Sequence, residues 1–308
     1  MAAPASAWRP DREVELVAGT PAGGGQDRPA RALIKVLEAG PLAGVPIKLT
    51  NIPGKGGGHA WDTLRKRTGD AHVLAINSPT IITNRLLGVS DFDHAALTPL
   101  ANLYTEYIAF VVRPDSPLRT GADFLARVGR DAGALTIAMA TARGNINHMA
   151  LGQVTRHAGG DVQALKLNVF DSARYAVADV IEGRAEVGAI TAVSAVPELA
   201  AGTLRAFALS APARMGGHFA GVPTWVEQGV HCVIGTWRGV IGAQGITAEQ
   251  IAFWGEALAT ATQSEAWNAE LARQYWANTY LGPGAIGAFL ERERGTLGTA
   301  LRDIGVVG

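Results

Sequence analysis

Apolar and polar residues follow one pattern three times in the first third of the chain. Each repeat opens with a short apolar run, of which residues 14–18 and 73–76 are the clearest examples. A loop of glycines or small polar residues follows, and then apolar residues at helical spacing, as from Ala30 to Leu37. Strand, loop and helix units in series predict parallel strands with helical crossovers, and therefore an open α/β sheet.

The same pattern restarts in the middle of the chain. An apolar strand at residues 107–112 ends in Arg113-Pro114, and we interpret it as a crossing into a second lobe. Four further strands are predicted there, with helices between them, at residues 135–139, 165–169, 187–190 and 204–209. Helices return after residue 247, where Thr247-Ala248-Glu249-Gln250 has the form of a capping box.

This arrangement predicts two lobes, the first of them discontinuous. We assign residues 8–112 and 236–308 to the first lobe and residues 113–235 to the second. Two chain crossings between the lobes would permit hinge closure. Open α/β sheets bind ligands at the carboxyl ends of their strands, so we expect a ligand cleft between the two lobes.

Composition narrows the class of protein. The 308 residues are 48% hydrophobic and 18% charged, which is typical of a globular protein with a large core. Lys plus Arg and Asp plus Glu are equal at 27 each, which argues against nucleic acid or an anionic membrane surface as the main partner. Cys232 is the single cysteine, so no disulfide can form within the chain, and we expect it to be a buried residue without a functional role.

The first residues suggest a secretory origin. Ala5-Ser6-Ala7 has the form of a signal-peptidase site, although the residues before it lack a long apolar run. We therefore expect a secreted protein that has been separated from its leader. An alanine-rich start without function is the alternative.

The loop at residues 19–27 is the first candidate for a binding site. Three consecutive glycines let the backbone approach a ligand closely, and the helix that follows offers unpaired N–H groups. We expect Asp27 to cap that helix and Pro29 to occupy its first turn. A plain turn that happens to carry glycines is the competing interpretation.

Signatures of enzymes are missing from the candidate loops. Neither the glycines at 23–25 nor Lys55 is followed by the Lys-Ser or Lys-Thr of a phosphate loop. His59 takes the place of the third glycine of a dinucleotide fingerprint, and Ser78 lacks the glycines of a nucleophile elbow. The seven histidines show no i, i+4 metal spacing. We therefore predict no catalytic residue, no metal and no cofactor.

Short polar loops at strand ends remain, and they suit a carboxylate. They span residues 20–27, 77–80, 141–147 and 171–172. Backbone N–H groups and hydroxyls can hold such an anion without any chemistry. Arg143 is the natural charged partner, and a solvated loop arginine is its alternative. Arg238 is a weaker second candidate; it lies beside Trp237 in residues 234–239, where we expect the second chain crossing.

Several motifs in sequence order resemble one family, the periplasmic substrate-binding proteins of tripartite tricarboxylate transporters, also called the Bug family. The similarity extends from about residue 13 to the C-terminus. The segments that carry it are Pro21-Ala22-Gly23-Gly24-Gly25-Gln26-Asp27, Asn51-Ile52-Pro53-Gly54, residues 144–148, Ala195-Val196-Pro197, residues 201–206, and Val222-Pro223-Thr224 with Glu227-Gln228-Gly229.

The resemblance implies an α/β fold of the two-lobed, type II periplasmic-binding-protein kind, which closes on a small carboxylate without catalysis. It implies delivery of the ligand to a two-subunit membrane permease. It places the ligand at Ala22, Gly23, Gly24, Gly25, Asp27, Asn77, Ser78, Thr141, Gly144, Asn145 and Asp171. Our reading of the strand-end loops adds Thr20 and Arg143.

The chain departs from the family pattern at a few positions. Phe170-Asp171-Ser172, Ile190-Thr191, Arg143 and Trp237-Arg238 stand where many members carry other residues. An acidic Asp171 in the cleft would repel a second carboxylate unless it met an amine, a hydroxyl or a water. The resemblance therefore predicts the fold more sharply than the ligand.

The main hypothesis is a monomeric periplasmic protein that binds a dicarboxylate or an aromatic acid and delivers it to a membrane secondary transporter. One alternative is a nucleotide-dependent α/β enzyme that uses the glycine loop. Another is a periplasmic sensor module with the same ligand class.

Overall fold

The structure is a computed structural model that describes residues 8–40, 42–140 and 142–307. The Ala5-Ser6-Ala7 sequence and the predicted site residue Thr141 lie outside the described residues.

Strands and helices alternate along most of the chain. In the first half they are β1 Val14–Ala18, α1 Asp27–Ala39, β2 Ile47–Asn51, α2 Gly58–Arg65, β3 Val73–Asn77, α3 Thr80–Leu86, β4 Thr98–Val112, α4 Gly121–Arg130, β5 Thr136–Ala140 and α5 Ile146–His157. In the second half they are β6 Lys166–Phe170, α6 Ala173–Ile181, β7 Val187–Thr191, α7 Ala192–Ala201, β8 Arg205–Leu209, β9 Gly235–Gly242, α8 Ala248–Gln263, α9 Glu265–Gln274, β10 Ala277–Leu281 and α10 Pro283–Asp303.

The chain divides into two compact units. The first contains the described part of Met1–Thr105 together with Trp237–Arg273 and Asn278–Leu297. The second contains Glu106–Thr236, Gln274–Ala277 and the described part of Gly298–Gly308. The predicted bounds differ from these at residues 106–112, 236, 274–277 and 298–308, all of which belong to the second unit.

Specific contacts explain why the C-terminal residues belong to the second unit. Gln163 donates a hydrogen bond of 2.6 Å from its side-chain amide to the carbonyl of Ile304. Arg156 pairs with Asp303 at 2.9 Å. A methyl group on Gly152 would lie only 2.1 Å from Cγ2 of Ile304, so the helix bearing Gly152 packs closely on the chain end. The hydrophobic periodicity of the sequence does not predict these tertiary contacts.

The first unit is built on a mixed sheet. Its strands follow the order β2-β1-β3-β9-β4, and β10 pairs with β4. Strands β1, β2 and β3 are parallel, which confirms the parallel pairing predicted for the first third of the chain. Strand β9 is antiparallel to β3, with Gly239 opposite Asn77. The sequence reading treated this segment only as a crossing.

The second unit has a sheet of its own. Strand β5 lies between β6 and β7 and is parallel to both. The second half of β4 is antiparallel to β7 and to β8. The strand predicted at residues 107–112 is therefore the last part of a longer strand, of 15 residues.

Aromatic residues fill part of each core. In the second unit, Phe110, Phe124, Phe207 and Trp225 contact one another with ring centroids 5.0–6.1 Å apart. In the first unit, buried Trp254 donates its indole N–H to the carbonyl of Ala71 at 3.0 Å. Burial of such large side chains supplies much of the stability of a domain.

Local sequence signals account for several helix boundaries. Thr120 and Thr247 each form a capping box, as their spacing from Asp123 and Gln250 predicts.

Cys232 is a free thiol and fully buried, as expected, and burial raises its pKa to about 12. No helix within the described residues is long and apolar enough to cross a membrane.

Candidate functional site

The carboxyl ends of β1, β2 and β3 meet at one edge of the first unit's sheet. Parallel pairing sets Ala18 beside Asn51, so the loops that follow these strands are neighbours. Strand β9 runs the other way and pairs Gly239 with Asn77, which places Arg238 at the same edge. We call this region the strand-end edge of the first unit.

The loop at residues 19–26 is held by its own side chains. The Thr20 hydroxyl oxygen accepts the N–H groups of Gln26 and Asp27, each at 3.2 Å. The Gly24 N–H donates to the carbonyl of Pro21 at 2.9 Å, closing a turn. Gln26 is the N-cap residue of α1 and makes no side-chain capping bond, and Asp27 is the first residue of the helix. The expectation that Asp27 caps the helix was therefore wrong, because Thr20 satisfies those N–H groups.

The buried carboxylate of Asp27 stabilises the loop through hydrogen bonds. It is 1% exposed, and its carboxylate accepts from the Gly23 N–H at 2.8 Å and from the Asn51 amide at 2.9 Å. Arg31 donates to the same carboxylate from Nε at 2.8 Å. Burial raises the pKa of Asp27, but these hydrogen bonds outweigh burial, and the net pKa lies below its ordinary value. A buried, saturated carboxylate positions the loop.

Two positions of this loop require glycine, because neighbouring atoms lie too close to leave room for a side chain. A methyl group on Gly19 would lie 2.4 Å from Cα of Gly57, which is backbone and cannot move aside. A methyl group on Gly24 would lie 2.6 Å from Cβ of Thr20. Gly23 has φ of +77°, a conformation that other residues rarely adopt. The glycines thus shape the loop as well as exposing its backbone.

A few hydrogen-bond donors of this loop have no acceptor among the described residues. Within the described part of the chain, the N–H groups of Ala22 and Gly25 have no protein acceptor, and neither has the proton of the Thr20 hydroxyl. Ala22 is exposed and Gly25 is half-buried. Unpaired N–H groups at the start of a helix favour an anion.

The loop after β3 has fewer free hydrogen-bond donors than its sequence suggests. The Thr80 hydroxyl donates to the carbonyl of Gly56 at 2.7 Å, so its oxygen must accept the proton of the Ser78 hydroxyl 2.6 Å away. Ser78 therefore has only lone pairs to offer. Asn77 is 2% exposed and accepts the Ser78 N–H with its Oδ1, while its side-chain NH₂ has no protein acceptor among the described residues.

Arg238 brings a positive charge to the same edge. Its Nε donates to the carbonyl of Gly25 at 3.0 Å, and Nη1 donates to the carbonyl of Trp237 at 3.3 Å. No carboxylate among the described residues forms an ion pair with it. From the sequence, Arg238 was predicted to be a weaker candidate than Arg143 for binding a carboxylate. The reason is that β9 was not recognised as an antiparallel strand of this sheet.

The loop before α5 is the counterpart in the second unit. Asn145 caps α5 by accepting the N–H of His148 at 3.0 Å. The side-chain amides of Asn145 and Asn147 both donate to the carbonyl of Ala140. Gly144 has φ of +82° and is buried. Two of the predicted ligand residues, Gly144 and Asn145, thus form the loop itself.

His148 is neutral in this loop. Its Nδ1 accepts the N–H of Gly144 at 3.0 Å, so the ring proton lies on Nε2. Burial, with a smaller contribution from the charge of Arg143, lowers the pKa of His148 to about 4. A neutral imidazole at a helix start avoids placing a cation among the unpaired N–H groups there.

The two charged residues predicted for the second unit are exposed. Arg143 and Asp171 both face solvent and have no ion-pair partner among the described residues. Asp171 lies between β6 and α6, where Ser172 is the N-cap residue without a side-chain capping bond.

The arrangement suits anion binding through neutral donors and arginine. Among the described residues, no group of three or more His, Cys, Asp or Glu side chains could hold a metal ion.

Comparison with protein families matches the chain to a family of transporter receptors. The model of the tripartite tricarboxylate transporter family receptor, TctC, matches residues 37–280. This range begins within α1, so the interpretation of the glycine loop rests on its own geometry. No curated protein sequence matches the chain.

Several solved structures share the fold. A TctC solute-binding protein from Polaromonas is 25% identical, with a TM-score of 0.80 over 95% of this chain and 99% of that one. Rpa4515 of R. palustris, solved with adipate, is 22% identical, with a TM-score of 0.80 over 96% and 98% of the two chains. MatC of Rhodopseudomonas palustris, solved with bound malate, is 21% identical, with a TM-score of 0.75 over 95% and 99%.

Proposed function

Because the chain belongs to the family of tripartite tricarboxylate transporter receptors, we propose that it captures a small organic carboxylate and delivers it to a membrane secondary transporter. The observation that carries the proposal is the family match over residues 37–280. A solute receptor needs a selective binding site and no chemical step.

The strand-end edge of the first unit is the proposed place of the carboxylate. The N–H groups of Ala22 and Gly25, the Thr20 hydroxyl and the Asn77 amide are donors without a protein acceptor in the described part of the chain. Such donors stabilise a carboxylate and leave an uncharged ligand less well satisfied. Gly23 and Gly24 shape the loop, and Asp27 positions it.

The ligand class we propose is a dicarboxylate or an aromatic acid. Two proteins of this fold were solved with adipate and malate, which are both dicarboxylates. Their identity to this chain is 22% and 21%, so they support the choice of compounds for a test. The part of Arg143, Gly144, Asn145 and Asp171 in ligand binding stays a prediction, as does that of Thr141.

The setting that we propose is the periplasm, with the protein acting as a monomer beside the membrane subunits of a permease. One protein of the same fold is described as a periplasmic binding protein, BugD. A sensor would bind the same ligand, so a pull-down with the permease subunits, with and without ligand, separates transport from sensing.

A thermal-shift screen tests the function. The compounds are adipate, malate, benzoate, glutamate, NAD and ATP. A ligand at about 100 times its Kd should stabilise the protein by roughly 2.7 kcal/mol. Stabilisation by one or more acids, with a Kd from calorimetry, supports the receptor. Stabilisation by NAD or ATP and by no acid would favour the enzyme alternative and overturn the proposal.

The absence of catalysis is tested with the same acid. We expect the bound acid to be recovered unchanged after long incubation, as judged by proton NMR of the released compound. Turnover of the acid would contradict a purely receptor role.

A further inference from the structure

We propose that Arg238 selects the charge of the ligand at the strand-end edge of the first unit. In this role its guanidinium binds the same carboxylate as the Ala22 and Gly25 N–H groups. The inference rests on the proposed function and deepens it, since it names the group that distinguishes a carboxylate from its uncharged amide.

Arg238 has no counter-charge among the described residues. Arg238 is half-buried, yet no carboxylate in the described part of the chain pairs with it. Asp27, the buried carboxylate of the neighbouring loop, is already saturated by Arg31, Gly23 and Asn51. A partly desolvated cation favours an anion from outside the protein.

The guanidinium of Arg238 lies against the glycine loop. The Nε–H of Arg238 donates to the Gly25 carbonyl at 3.0 Å, which fixes the guanidinium against the glycine loop. A methyl group on Gly25 would lie 3.0 Å from Nη2. No acceptor for Nη2 is found among the described residues. The unused end of the guanidinium therefore lies within reach of a group bound at Gly25.

A third observation is a buried polar group at the same edge. Asn77 is 2% exposed, and its side-chain NH₂ has no protein acceptor among the residues described. Its strand partner is Gly239, the residue next to Arg238. Asn77 Nδ2 is not one of the fully enclosed polar atoms that lack a partner, so this amide is open to a ligand or to water. The edge therefore combines a cation with unsatisfied neutral donors.

The test compares an acid with its amide. The probes are adipate and adipamide, malate and malamide, and benzoate and benzamide, measured by calorimetry on wild-type protein and on Arg238→Met. Loss of a charge-assisted hydrogen bond should weaken binding of the acid roughly 10- to 100-fold. Affinity for the amide should change less than about three-fold, since the amide never used the charge.

A matched control removes an arginine from the opposite end of the same unit. Arg67 pairs with Glu15 at 3.1 Å, near the start of β1. Arg67→Met changes the net charge by the same amount and should leave both affinities unchanged. A loss of acid binding in this variant would mean that long-range charge, and not Arg238, governs recognition.

A second variant displaces the guanidinium and keeps its charge. In Gly25→Ala the new methyl group meets only the end of the Arg238 side chain, with Nη2 at 3.0 Å and Cζ at 4.0 Å, so stability should change by little. Acid binding should still weaken, by roughly three- to ten-fold. If instead Gly25→Ala unfolds the protein, Arg238→Lys serves in its place; it keeps the charge, and we expect an intermediate loss.

Each result decides between the two proposals. If wild-type protein binds no acid, the proposed function fails and this inference fails with it. If wild-type protein binds an acid and Arg238→Met binds it equally well, only this inference is overturned. Equal weakening of acid and amide would assign Arg238 to holding the loop and would also overturn the selective role.

Discussion

The loop before α1 in the first unit and the loop before α5 in the second follow the same plan but are held by groups of different charge. The first is organised around the buried carboxylate of Asp27. The second is organised by the neutral side chains of Asn145, Asn147 and His148. In both loops, polar side chains that were predicted to contact the ligand bind the loop's own backbone. Ligand donors are therefore better sought among the N–H, hydroxyl and amide groups that keep a free proton, and among arginines.

The largest expected effect concerns the charge that holds the first loop. Asp27→Ala leaves the Gly23 N–H and the Asn51 amide without their acceptor. We expect a loss of about 2–4 kcal/mol in the free energy of unfolding. Asn145→Ala removes a helix cap and one of the two amide hydrogen bonds to the Ala140 carbonyl, the other of which Asn147 keeps, and should cost about 1 kcal/mol. Urea unfolding measures both, and a larger cost for Asn145→Ala would reverse the comparison.

Acid should weaken the second loop before the first. The folded-state pKa of His148, about 4, lies below its ordinary 6.5, so between these values the unfolded chain binds a proton and the folded chain does not. Stability therefore falls as the pH drops through this window. The pKa of Asp27 is also lowered, but its contribution is complete above 3.8 and is lost only as the pH falls through its folded-state value.

Unfolding at pH 7 and pH 4.5 checks this difference. The His148 contribution should be roughly 2 kcal/mol between these conditions. His148→Asn keeps an acceptor for the Gly144 N–H without titrating, so it should reduce the pH dependence by that amount. His157→Asn, at an exposed site on the same helix, is the control. Equal pH dependence in wild type and His148→Asn would contradict the neutral imidazole.

Arg143 should matter less than the groups that hold the loops. It is exposed, and solvent screens its charge. If it borders the bound acid, Arg143→Ala should weaken binding roughly two- to five-fold, as for a charge at the rim of an interface. Calorimetry with an acid found in the screen measures this effect. Unchanged affinity would assign Arg143 to solvent.

Ser78 should have the smallest effect. Its hydroxyl proton is committed to Thr80, which in turn donates to Gly56. Ser78→Ala should therefore change acid affinity by less than about two-fold. A ten-fold loss would show that Ser78 turns its proton to the ligand, and the loop after β3 would then use a side chain as the sequence suggested.

The sequence predicted the regular elements well where local patterns decide them. The strand at Val14–Ala18 and the capping box at Thr247 depend on nearby residues only. Strand β9 was not recognised, because its place beside β3 depends on a chain segment that returns about 160 residues later. The same distance hid the position of Arg238 at the glycine loop.

The candidate site was predicted by type of loop and less well by role of residue. Glycine content and strand ends identify where donors gather. They do not tell which donors are already used: Asp27 and Ser78 each have internal partners that only the folded loops reveal. Hydrogen-bond satisfaction is a property of tertiary structure, so these roles could not follow from spacing.

Backbone amide NMR tests the central claim most directly, that the leftover N–H groups of the first loop bind the carboxylate. Wild-type protein is titrated with the acid that gives the largest thermal shift. We predict that the amide protons of Ala22 and Gly25 move downfield at saturation, while that of Gly23, already bonded to Asp27, moves less. Saturable binding that leaves the Ala22 and Gly25 signals unchanged would contradict the account.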